Sequence, residues 1–222
     1  MSGEGGQQKS QKQSPRRGLL SFRTFYTLTI IVVFPASGIV SFKDVAFTLF
    51  SLVYVFFLSK VAFPILDPST DRRVFGKNNK LLSLYISFTA LIGLILPIGY
   101  IIDGILEGDK ERIKAAAPHI FLLCGQGFME GFTFNAGFSI PIFAFVPVFY
   151  HSRRIFTIVH WLRAEMGKTV NGELVGSAIR VYFGRGLAVV NLLVWCFNLF
   201  GFLLPVYLPR AFKRYYGYKE KV

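Results

Sequence analysis

The sequence predicts an all-α polytopic membrane protein: a transmembrane helical bundle with a basic amphipathic interfacial helix and a disordered N-terminal tail. Three observations lead there. Hydrophobic residues make up 53% of the 222 residues and charged residues only 17%, below the ~25% usual for soluble domains. Phenylalanine alone occurs 25 times, and a water-soluble monomer of this length could not bury so much apolar surface. The apolar residues also gather in long runs with basic residues concentrated between them, which is how helices that cross a ~30 Å hydrocarbon core are flanked. The mean hydropathy of +0.49 agrees.

Residues 1–18 are Gln-, Ser- and Gly-rich and basic. With nothing to bury they should be disordered, and they lack the form of a cleavable signal peptide. The first apolar run, 19–34, is only ~24 Å long as a helix, a marginal crossing. It stops at Pro35 and Gly38. Ser41 and Asp44 then read as a capping box that opens a second span over 41–63, closed by Pro64 and Pro68. A polar, basic loop over 67–80 leads to a third span, 81–102, in which Pro97 should kink or break the helix.

The stretch 117–150 would make a helix of ~51 Å, longer than one crossing needs. It holds Gly125, Gly127, Gly131, Gly137, Pro141 and Pro147, so it reads as a broken element with a break near Gly137. In 151–168 the residues Ile155, Ile158, Val159, Leu162 and Met166 form one helical stripe, with Arg153, Arg154 and Arg163 outside it. That pattern predicts an interfacial helix whose arginines meet lipid headgroups. A last span covers 187–208, followed by a basic, Tyr-rich tail over 210–222. With five crossings, the larger share of the 25 Lys and Arg falls on the side of the N-terminus, which places that end in the cytosol.

Net charge is +13. No basic domain stands apart from the apolar runs, so nucleic acid is not an expected partner. The expected partners are the lipid bilayer and other membrane subunits or further copies of the chain. Cys124 and Cys196 sit within apolar runs as packing residues. No CxxC, HExxH or paired Cys/His spacing occurs, so neither a metal site nor a cofactor is expected. No P-loop, GxSxG elbow or histidine box is present, and no residue is assigned a catalytic role.

Polar residues inside a span are the natural functional candidates. On an ideal helix His119, Gln126, Glu130 and Thr133 lie within about 40° of one line, a candidate intramembrane polar face for a cation, a proton or a headgroup. Gly127 and Gly131 form a GxxxG spacing suited to helix packing. Asn191 and Asn198, with Trp195, share a face suited to amide bonds between helices.

The motif Phe-Pro-Ile-Leu-Asp-Pro at 63–68, the run Cys-Gly-Gln-Gly-Phe-Met-Glu-Gly at 124–131 and the basic N-terminal lead resemble a plant family of short multi-pass membrane proteins carrying a domain of unknown function. The resemblance implies an endomembrane or plasma-membrane setting and no established activity. The expected role is a structural or regulatory subunit of a membrane complex. The alternative is a small oligomeric transporter or channel built on the broken 117–150 element, and a third is a lipid-modifying enzyme using His119 and Glu130 as acid and base.

Overall fold

The computed structural model describes residues 33, 35–65, 80–170, 173–174 and 177–219. The expected N-terminal tail, nearly all of the first span, the polar loop at 67–79 and the end of the basic tail lie outside the described residues. What is described is helical, apart from a minimal antiparallel pair, β1 (Thr169–Val170) and β2 (Glu173–Leu174). Four stretches are long and apolar enough to span a membrane: Phe42–Val61, Ser83–Leu106, Ile140–Met166 and Ala178–Gly217.

Helix α1 (Phe42–Val61) starts at Ser41, whose Oγ accepts the Lys43 amide at 3.2 Å. Asp44 does not serve the cap. Its carboxylate, 3% exposed, accepts from Arg153 Nε at 2.9 Å. A buried acid needs a partner more than a helix end does, since the free amides of a first turn can also be satisfied by water.

Helices α2 (Lys80–Ala90) and α3 (Leu96–Leu106) are continuous through a π-helical turn at Leu91–Ile95. Pro97 explains the turn. It has no N–H, and the π spacing, with the Leu96 amide bonding Leu91 O, skips a further carbonyl, so Ile92 and Gly93, five and four residues before the proline, are left open to other donors. Two other helices supply replacements: His119 Nε2 donates to Gly93 O at 2.7 Å and Asn191 Nδ2 to Ile92 O at 3.1 Å. The proline thus leaves the chain helical and turns its backbone into a docking point.

Helix α4 (Lys110–Asn135) is capped by Asp109, which accepts the Arg112 amide at 3.0 Å. It is absent from the four candidate spans because His119, Gln126 and Glu130 lower its hydropathy. It ends where Gly137 takes φ 77°, a conformation that favours glycine, so the expected break falls there. The second half differs from expectation. Helix α5 (Ile140–Met166) runs unbroken through Tyr150, joining the expected short piece to the expected interfacial helix. Its buried stripe is His151, Arg154, Ile158, Trp161 and Glu165, while Met166 is exposed. Helix α6 (Ala178–Cys196), a π-helical stretch (Phe197–Tyr207) that accommodates Pro205, and α7 (Leu208–Lys219) form a second continuous rod.

Helices α4 and α5 form the centre. On one side Phe121, Leu122, Met129, Ile142 and Tyr150 pack with Val55 of α1. On the other, Ile120 and Trp161 pack with Tyr100, Ile101, Leu187 and Ala188 of α3 and α6. Outward faces are apolar: Phe42, Leu49, Phe50, Val53, Leu81, Leu84, Ile179 and Leu193 are each more than half exposed. Inward faces hold Asp44, Arg154, Glu165 and Asn191.

Gly93 is where α2–α3 meets α6. A Cβ there would stand 2.6 Å from Trp195 Cζ2, whereas a Cβ at Gly99 meets nothing within 4 Å among the described residues. Gly93→Val should therefore lose about 1–3 kcal/mol to overpacking, and Gly99→Ala should be neutral or gain up to ~1 kcal/mol from helix propensity. Unfolding midpoints of the two variants in detergent check this.

Candidate functional site

The site is organised by Arg154 of α5, which has no exposed surface. Its Nη2 donates to Gln126 Oε1 at 2.6 Å and toward Leu122 O at 3.4 Å. Its guanidinium carbon lies 4.2 Å from the centre of the Trp195 ring, a cation–π geometry that gains strength when desolvated. One turn along α4, Gln126 Nε2 donates to Glu130 Oε1 at 2.8 Å. Carboxylate, amide and guanidinium thus form one chain, Glu130–Gln126–Arg154. An unpaired guanidinium in a low-dielectric interior costs several kcal/mol. Glu130 supplies the opposing charge, and the amide conveys it because both its ends bond.

Trp195 is held by its own polar edge, Nε1 donating to Asn191 Oδ1 at 3.3 Å. The His151 ring meets it edge-on at 4.7 Å between centroids. Beside this cluster is a cavity of about 640 Å³ between α2, α4, α5 and the rod that begins with α6. Gln126, Glu130, His151, Asn198 and Tyr207 give its wall a polar strip, and Leu94, Leu123, Phe143 and Leu203 make the rest apolar. Across it, Tyr85 Oη donates to Asn198 Oδ1.

Of the expected polar face, Gln126 and Glu130 share one bonded chain. His119 lies apart, bonded to Gly93 and packed beside Trp161 and Trp195. Thr133 bonds the carbonyls of Met129 and Glu130 in its own helix. No atom comes within 4 Å of a Cβ built at Gly127 or Gly131, so neither is a point of close approach among the described residues, and Gly127 lines the cavity instead. Asn191 and Asn198 each bond across to the helix before α4, through Ile92 and Tyr85. Of the three arginines placed at the headgroups, Arg163 is exposed, Arg153 holds Asp44, and Arg154 turns inward. The inward turn has a physical cause: Trp161 and Trp195 offer more buried area than the apolar stripe first expected.

A second buried acid escaped the sequence reading. Glu165, fully buried, accepts from Tyr100 Oη at 2.5 Å and from Lys168 Nζ at 2.9 Å. Gly184 of α6 lies against it, since a Cβ there would stand 2.5 Å from Glu165 Oε2. The signal was available: His151, Arg154, Ile158, Trp161 and Glu165 recur at spacings of 3 and 4, as regular a stripe as the apolar one. Among the described residues no three His, Cys, Asp or Glu side chains converge in a way that could hold a metal ion. Cys124 and Cys196 are free thiols.

The bonded chain makes a quantitative expectation. Gln126→Leu should cost about 3 kcal/mol in the native chain, because it strands Arg154, and less than about 1 kcal/mol when Arg154 is already Met. A double-mutant cycle on unfolding in detergent measures the difference. Equal costs in both backgrounds would show that the amide does not mediate the pairing.

No curated protein and no solved structure matches this chain. One family match covers residues 20–216, nearly its whole length, and on that match the chain belongs to the family defined by a domain of unknown function, DUF7733.

Proposed function

We propose that the chain is an integral multi-pass membrane protein of the endomembrane system or plasma membrane, with a cytosolic N-terminus, and that it serves as a structural or regulatory subunit of a membrane complex. The observation that carries the membrane part is its inverted polarity. Side chains such as Phe42, Leu84 and Ile179 point outward at 83%, 68% and 82% exposure, while Asp44, Arg154 and Glu165 are buried. Water would penalise that arrangement and hydrocarbon would favour it. Support for the subunit role comes from where the interior polar groups go. Asp44–Arg153, His119–Gly93, Asn191–Ile92 and Tyr85–Asn198 each join one helix to another, which is how polar residues hold bundles in a bilayer.

A second reading, a small oligomeric transporter, is favoured by the cavity at Glu130 beside the α4–α5 break. In that case Glu130→Gln abolishes flux in liposomes while the protein still folds.

Two measurements test the first reading. The chain should stay with membranes through alkaline carbonate extraction, and its release would refute integration. Purified from its native membrane in mild detergent, it should retain a stoichiometric foreign subunit, and a homo-oligomer without partners would refute the subunit role.

A further inference from the structure

We propose that the cavity between α2 and the rest of the bundle is a binding site for a neutral amphipathic lipid, one with a hydroxyl or amide head on an apolar body. The volume, about 640 Å³, lies within the ~300–1,000 Å³ range of sites that enclose whole small molecules. The proposal rests on the membrane reading above, in which the outward side of α2 faces hydrocarbon. Ile86 lines the cavity and is itself 58% exposed. Below the π-helical turn, α2 leans on the α6 rod through the Tyr85–Asn198 hydrogen bond and the Tyr85–Phe197 ring contact at 6.1 Å.

The wall's chemistry selects the head. Gln126 and Asn198 are amides, suited to a hydroxyl or another amide. Among the described residues the one acid on the wall, Glu130, is already joined through Gln126 to Arg154. Those two charges balance, and Arg154, whose Nε and Nη1 carry no hydrogen bond among the described residues, is not one of the residues lining the cavity. An anionic or cationic head would therefore bring a third charge into a low-dielectric space whose described wall offers it no unpaired opposite charge. A neutral head brings none.

Trp195 lines the cavity at 4% exposure, and the chain has 2 tryptophans, so bound lipid can be read by fluorescence. The probe is a diacylglycerol with dibrominated acyl chains, titrated into the full chain in detergent micelles, with the matching brominated phosphatidic acid as the charged control. Working in micelles separates this proposal from membrane integration, which carbonate extraction decides. Saturable quenching is expected, with at least tenfold weaker binding of the phosphatidic acid. Gly127→Leu should weaken quenching at least tenfold. A Cβ there meets no atom of the described residues within 4 Å, so the new side chain fills the cavity without a clash at its root. Gly131→Leu, equally open at Cβ but not on the cavity wall, should bind like the native chain. Non-saturable quenching, equal binding by Gly127→Leu, or preference for the charged lipid would each overturn the proposal. Equal loss in both glycine variants would overturn it too, pointing instead to packing along the whole GxxxG face.

Discussion

A guanidinium with no exposed surface sits at the middle of the central helix pair, and the rest of the bundle is arranged around keeping it there. Arg154 cannot be desolvated alone. It needs an acceptor, which Gln126 provides; a counter-charge, which Glu130 provides one helical turn away; and a face to lie on, which Trp195 provides. Each requirement recruits another helix. Gln126 and Glu130 fix the register of α4 against α5, and Trp195 fixes α6. Through Asn191 the tryptophan is tied in turn to the backbone of α2–α3.

That last link depends on a residue that appears disruptive in the sequence. Pro97 removes a backbone donor, and the carbonyls of Gly93 and Ile92 in the π-helical turn before it become acceptors for side chains of α4 and α6. A regular helix would have kept those carbonyls to itself. Gly93 of the π-helical turn meets the Trp195 ring, and Leu94 of the same turn lines the cavity. π-turns are frequent at functional sites, and here one turn serves as dock and as cavity wall.

The helical class was legible in composition, and the break near Gly137 was legible in its glycine. The apolar stretch at 41–63 and the continuous one at 81–102 were legible as helices because apolar length is a strong signal. The course of α5 was not. A basic helix with an apolar stripe looks interfacial when its arginines are assumed to seek water, and nothing local says that two tryptophans outweigh that preference. Arg154, Glu165 and Met166 therefore took places opposite to those that their charge or apolar character suggests. The polar face on α4 was legible as a face, yet only Gln126 and Glu130 act together. Their shared partner lies 24 and more residues away in sequence, beyond the reach of any helical periodicity. Gly127 and Gly131 matched a packing motif whose meaning depends on a neighbour that the bundle does not place there.

The hydropathy of α4 bears on how the chain is made. It is the central helix, yet it is not apolar enough to be counted among the spans. Synthesis delivers it before α5 and α6, the helices that satisfy Gln126 and cover His119. During that interval its imidazole, amide and carboxylate have no partners from those helices. Hydrocarbon would expel such a segment. On the membrane reading proposed above, its entry into the bilayer would wait for the hairpin partner that brings Arg154, and α4 and α5 would insert as one unit.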